Sequence, residues 1–273
     1  MCAVLGVTES GYYRWLKHRD RVTKRELLLV EIKKIYDEHE DNDNYGVDRI
    51  KTALCQKGIE RSRSTVYRAM KEGGYLHRKR VPHGITKASP EEQKAENLIN
   101  GDFHADRPIT KLLSDISEIP YASGKLYISP ILDCHNGEIV ALEIRDNMKK
   151  ELCMDTVRQL KRRYGDLNHV ILHTDRGCQY TSHEFRALLK EYGMLQSLSG
   201  TGKCYDNAKM ESFFATLKKE KLYKLPTYNM SKEAVITAIY RYVFAYYNTI
   251  RINSFNPDGL PPVAMRQKGR LVA

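Results

Sequence analysis

Three carboxylates, Asp115, Asp175 and Glu211, lie 60 and then 36 positions apart, each in a local setting that would deliver it to a common site. Val170 to Leu172 is an apolar run of strand length that stops at the polar segment holding Asp175. In an open α/β sheet such a run reads as a central strand, and ligands gather beyond the carboxyl ends of such strands. Met210, Phe213, Phe214 and Leu217 fall on one stripe at the helical period and would bury against the sheet, which leaves Asn207, Glu211 and Lys218 along its rim. Asp206 or Asn207 can cap the amino end of that helix. Asp115 lies in Leu112 to Pro120, where alternation puts Leu113, Asp115, Ser117 and Ile119 on one face of a strand. Three acids with no His or Cys cluster beside them suit a hard, oxygen-seeking cation, Mg²⁺ or Mn²⁺, better than zinc.

The wording around these acids goes further than their spacing. His173 to Ser182 reads HTDRGCQYTS, Cys204 to Phe214 reads CYDNAKMESFF, and Ser114 to Ser117 reads SDIS. With Tyr45-Gly46, Arg49-Ile50, Gly11 to Tyr13, Tyr247-Asn248, Arg251 and Pro261 to Ala264, this resembles the catalytic second-frame (OrfB) DDE transposases of bacterial insertion sequences of family three, whose core is related to retroviral integrase. The match spans nearly the whole chain, with several independent motifs in the family's order. Leu112 stands where a Trp is usual and Ser117 where Thr is common; neither departure removes a ligand.

The resemblance implies a metal-dependent enzyme that cleaves element-end DNA and transfers the strand. Asp115, Asp175 and Glu211 would be its catalytic and metal-binding acids, holding two Mg²⁺ or Mn²⁺ ions, with Asp115 shared between them. It implies a multimer on double-stranded DNA and a first-frame transposase subunit as a possible partner. Two other readings stand beside it: a catalytically inactive DNA-binding regulator, and a nuclease of the same fold that cuts without joining.

Composition agrees with a nucleic-acid partner. The 273 residues carry a formal charge of +11 and a pI near 9.2, which favours a polyanion through attraction and counterion release. An apolar fraction of 41% is ample for a packed core. The 6 cysteines show no paired spacing, so free thiols in a reducing cytoplasm are expected, with neither a disulfide framework nor zinc. No apolar run is long enough to cross a membrane.

Four regions are expected. Residues 1–76 form a helical DNA-binding, helix-turn-helix-like region, with helices near 24–38, 47–57 and from Ser62 or Ser64 to Glu72. Residues 45–80 carry ten Lys or Arg against three acids, and Arg61, Arg63, Thr65 and Arg68 would reach a groove from the start of the last helix. Residues 77–108 form a basic linker and a helix over 90–99, where Ser89-Pro-Glu-Glu supplies cap, first-turn proline and capping-box acid.

Residues 109–228 form the integrase catalytic core. Strands near 111–119, 125–132 and 138–145, a helix over 150–164, a strand over 169–174, a helix over 183–192 and a short strand near 195–198 describe a mixed α/β sheet. The resemblance makes it a ribonuclease H-like, five-stranded sheet with flanking helices. Pro130 inside the second strand cannot donate to a ladder, so a bulge or an unpaired amide is expected there. Arg176, Lys203, Lys209 and Lys218 surround the acids as candidate phosphate contacts, and Ser199 to Lys203 reads as a mobile loop. Residues 229–273 add one helix over 231–249 and a basic tail, carrying Arg251, Arg266, Lys268 and Arg270, for DNA or a second protomer.

Overall fold

The computed structural model describes residues 6–18, 22–76, 97–200 and 207–270. The expectations for Lys203, for the loop beyond Gly200, for the basic linker at 77–84 and for Cys2 and Cys204 lie outside the described residues. So does most of the helix expected over 90–99, whose last residues, 97–99, are not helical. The chain divides into two compact units, Met1–Lys79 and Arg80–Ala273. Among the described residues no helix is long and apolar enough to cross a membrane.

The first unit holds α1 (Glu9–His18), α2 (Lys24–Asp37), α3 (Val47–Gln56) and α4 (Arg63–Glu72). A capping box starts α2: the Thr23 hydroxyl accepts from the Glu26 amide at 3.1 Å, and the Glu26 carboxylate accepts from the Thr23 amide at 2.6 Å. Leu28, Ile32 and Ile35 then fall on one face and bury with Ile50 and Leu54 of α3 and Val66, Ala69 and Met70 of α4. Gly58, at φ +74°, ends α3 in the left-handed region, where a side chain would be strained. Ser62 caps α4 by accepting from the Thr65 amide at 3.2 Å.

The second unit is built on six strands: β1 (Lys111–Ser114), β2 (Ser117–Tyr121), β3 (Gly124–Asp133), β4 (Ile139–Arg145), β5 (Ile171–Thr174) and β6 (Leu195–Leu198). Both β1 and β2 pair with the edge of β3 opposite β4, so the single strand expected over 111–119 is broken in two at Asp115-Ile116. The break faces Ser129-Pro130. Pro130, with no amide to donate, therefore sits across from a gap in the ladder, and the β3–β4 register shifts next to it, between Ile131 and Leu132.

Parallel strands β5 and β6 extend the sheet beyond β1. β5 starts at Ile171 rather than 169 because His169 takes φ +59° and Val170 closes a turn onto Leu167. One face is covered by α5 (Lys150–Tyr164), α6 (Cys178–Thr181) and α7 (His183–Glu191), whose Val157, Leu160, Tyr180, Phe185 and Leu189 bury with Leu112 and Leu172. Packing from α8 (Ala208–Glu220) also reaches β1.

The helix expected over 231–249 is two segments: α9 (Lys232–Tyr240) and a π-helical run, Arg241–Tyr247. Two of the tail's basic residues, Arg251 and Arg266, are used inside the fold, while Lys268 stays exposed. Arg251 is buried and forks onto Glu220 at 2.7 and 2.8 Å, with the Tyr242 hydroxyl donating to the same carboxylate. In α10 (Pro262–Arg270), Arg266 lies 3.2 Å from the buried Glu138 and donates to the Tyr164 hydroxyl.

Candidate active site

Register places the first two acids. β1 and β5 run parallel with Lys111 beside Ile171, Leu112 beside Leu172 and Leu113 beside His173. Asp115 and Asp175 each follow two residues later, at the carboxyl ends of adjacent strands that run about 4.8 Å apart. Asp115 sits in the break before β2, half-buried, its Oδ1 accepting from the Ile116 amide at 2.7 Å. Burial pushes its carboxyl up to about 7 against the pull of that amide; the charges of Asp175 and Glu211 push the same way and Lys218 opposes them. Asp115, Asp175, Glu211 and Lys218 therefore share one electrostatic neighbourhood.

Asp175 is exposed, and its Oδ1 accepts from the Gly177 amide at 2.9 Å. Gly177 has an ordinary φ of −53°; what it lacks room for is a side chain, since a Cβ there would lie 3.0 Å from the Asp175 Oδ1. Behind the pair, the Ser114 hydroxyl donates to the Pro130 carbonyl at 2.9 Å and meets the buried Tyr180 hydroxyl at 3.1 Å. His173 is wholly buried between Ser197 at 2.8 Å and Ser199 at 3.0 Å, tying the end of β5 to that of β6.

Glu211 lies in the first turn of α8 and is exposed, while Met210, Phe213, Phe214 and Leu217 bury as their spacing requires. Lys218 is seven residues on, two turns along the same side, and half-buried. Among the described residues no three acids, histidines or cysteines are drawn together closely enough to enclose a metal ion. The carboxylates are neighbours, not a closed cage.

The basic residues divide. Lys209 is turned away from the acids: its Nζ donates to the carbonyls of Phe103 at 2.9 Å and Cys134 at 3.0 Å. The Cys134 amide donates to the Lys111 carbonyl, at the end of β1 opposite Asp115, so Lys209, expected as a phosphate contact, is engaged in this structure as an anchor between α8 and that end of the sheet. Arg176 donates through Nε to the Ser199 carbonyl at 2.9 Å. In the first unit Arg61, Arg63, Thr65 and Arg68 are all exposed; Arg63 is ion-paired with Asp48 of α3 at 2.7 Å, and the Thr65 hydroxyl lies 2.8 Å from that of Ser62.

Sequence reasoning passed over Gly177, Ser114, Tyr180 and His173. Only the spacing of Gly177 two residues after Asp175 was visible without coordinates; that its φ is ordinary and that a Cβ there would crowd the carboxylate was not.

Residues 105–204 match the integrase core domain and residues 23–83 an HTH-like domain. The chain is 33% identical to the uncharacterized 31 kDa protein of insertion element IS600 from Shigella sonnei, over 98% of each chain. It is 29% identical to the transposase InsF for insertion sequence IS3A of Escherichia coli (strain K12), over 98% of this chain and 93% of that one. Among solved structures, the HTLV-2 integrase catalytic core domain in complex with magnesium aligns with a TM-score of 0.44 at 15% identity, covering 59% of this chain and 98% of that one. The chain belongs to the IS3 family of insertion-sequence transposases.

Proposed function

We propose that Asp115, Asp175 and Glu211 are the catalytic acids of this transposase and that they hold two divalent cations, Mg²⁺ or Mn²⁺, while element-end DNA is cleaved and joined. The observation that carries the reading is the shared field at Asp115: half-buried, it is pushed up to about 7, chiefly by burial and in smaller part by the negative charges of Asp175 and Glu211. An all-oxygen donor set with surplus negative charge fits a hard cation. Bound there, the ions would neutralise the acids, favour the ionised nucleophile and stabilise the leaving oxygen. Asp115, which feels both other acids, is the candidate for a ligand shared by both ions.

The chain's own residues do the positioning. Lys218, on the Glu211 side of α8, is available to hold a phosphate of the bound strand. Cleavage forms an oxygen–phosphorus bond from water as the bond to a 3′ oxygen breaks, and joining repeats the step with the freed 3′-hydroxyl. Arg61, Arg63, Thr65 and Arg68 of the first unit would grip the element end. Joining two ends requires two bound ends, so the working form is a multimer on DNA, in the cytoplasm, with a first-frame subunit as a possible partner.

Labelled element ends incubated with target DNA and Mg²⁺, with EDTA and Asp175→Asn as controls, test the reading. Joined products that depend on both Asp175 and the cation are expected. Cutting without joining would make the chain a nuclease; binding with neither would make it a regulator.

A further inference from the structure

The ladder to β3 is interrupted at Asp115-Ile116, across from Ser129-Pro130, so the level of the sheet that carries Asp115 is held by other bonds. Two hydroxyls stand there. Ser114 donates to the Pro130 carbonyl at 2.9 Å, which uses its only hydrogen, so the Tyr180 hydroxyl, 3.1 Å from the Ser114 Oγ, is the donor of the second bond. The Cys153 thiol bonds to the same phenol and, as a weak donor, leaves that direction unchanged. The Tyr180 ring is buried, edge-on to Phe185 at 5.4 Å between centroids. A phenylalanine would fill that space as well; the hydroxyl adds its hydrogen bonds. Tyr180 is also tied to the second acid. It lies in α6, five residues after Asp175, where its amide donates to the Gly177 carbonyl at 3.0 Å and the Gly177 amide donates to the Asp175 Oδ1 at 2.9 Å. Its own carbonyl accepts from Gln196 of β6 at 2.8 Å. One side chain thus joins the turn that carries Asp175 to the strand end that carries Asp115.

We propose that Tyr180 is a positioning residue for the acid centre: its hydroxyl, acting through Ser114, fixes the separation of Asp115 from Asp175 and with it the fit of the site to Mg²⁺. The inference rests on the reading of Asp115, Asp175 and Glu211 as the metal-binding acids. Parallel pairing sets β1 beside β5, but its last rung is Leu113 beside His173, two residues short of each acid. Beyond that rung the bonds of Ser114, Tyr180 and Gly177 set the spacing. Partners behind a metal ligand orient it, and their loss weakens binding of the ion. The two candidate probes differ in what they tolerate: Mg²⁺ demands near-ideal octahedral coordination at short distances, whereas Ca²⁺ accepts irregular sites with more ligands at longer range. A centre whose acids are loosely spaced therefore loses Mg²⁺ before it loses Ca²⁺.

The test is Tyr180→Phe in the full chain. Its melting temperature is followed against Mg²⁺ and against Ca²⁺ without DNA, and single-turnover cleavage of labelled element ends is followed against Mg²⁺. In EDTA the variant is expected to melt within about 4 °C of wild type. Its half-saturating Mg²⁺ concentration should rise roughly 10-fold in both readouts, while that for Ca²⁺ stays within about threefold of wild type. Ser114→Ala removes the acceptor of the same bond and carries the same expectation where Tyr180→Phe does not fold; the double variant should be no worse than the poorer single one. An unchanged half-saturating Mg²⁺ concentration, or Mg²⁺ and Ca²⁺ values that rise together, overturns the proposal and leaves the hydroxyl a core contact. If Asp175→Asn cuts as fast as wild type, the acid-centre reading fails instead.

Discussion

Asp115 and Asp175 each stand two residues beyond the same rung, Leu113 beside His173, of two parallel strands. Their charges are therefore held together by the sheet itself, and the cost falls on Asp115, pushed from 3.8 to about 7 chiefly by burial. The folded chain keeps this proton up to about pH 7, whereas the unfolded chain releases it near pH 4. Stability from this group is thus present below pH 4 and lost as pH rises through 7. Asp115→Asn is expected to melt about 3–6 °C above wild type at pH 8 in EDTA and level with it at pH 4. Mg²⁺ should raise the wild-type melting temperature more than the variant's; thermal scans at the two pH values check both.

Gly177→Ala keeps a permitted backbone but sets a methyl group 3.0 Å from the Asp175 Oδ1. The strand-end carboxylate must turn or the loop must shift. Single-turnover cleavage should fall by roughly 10- to 100-fold while the melting temperature stays within about 2 °C of wild type. An active variant would mean that Asp175 tolerates a different orientation.

Lys209 and Lys218 lie on one helix and should fail differently. Lys209→Ala frees the Phe103 and Cys134 carbonyls and is expected to cost about 1–2 kcal/mol of stability, with the salt dependence of end binding unchanged. Lys218→Ala should leave stability alone, slow cleavage, and flatten the slope of log affinity against log salt by about one phosphate contact. Denaturant melts and binding isotherms over a salt series separate the two.

In the first unit, Arg63 is held by Asp48. Asp48→Asn releases it and should tighten binding to element ends and steepen the salt slope. Charge reversal at Arg63 and Arg68 together should weaken binding and flatten it. Unchanged slopes in both would place DNA on another face of this unit.

How much was legible before coordinates follows from the physics of each element. The stripe Met210, Phe213, Phe214, Leu217 and the apolar run ending at Asp175 were readable because burial writes a period into the sequence. The break at Asp115-Ile116 was not, because alternation continues through it; only Pro130 hinted that a rung was missing. The bonds of Lys209 to the Phe103 and Cys134 carbonyls were not readable, because a lysine's charge says nothing about which way its flexible stem turns. Arg251 and Arg266 looked like tail charges until Glu220 and Glu138, distant in sequence, arrived beside them. Asn207 had the residue type of a cap, but its amide turns inward toward the Ser114 carbonyl at the end of β1, a neighbour the sequence does not place beside it.

The shared centre is tested most directly by introducing Asp115→Asn, Asp175→Asn and Glu211→Gln singly and measuring the Mg²⁺-dependent joining rate, with end binding followed in Ca²⁺. Each substitution is expected to lower the joining rate by about 1,000-fold or more while leaving binding within about threefold of wild type. Any one of the three joining within about tenfold of the wild-type rate would contradict a centre built from all three acids.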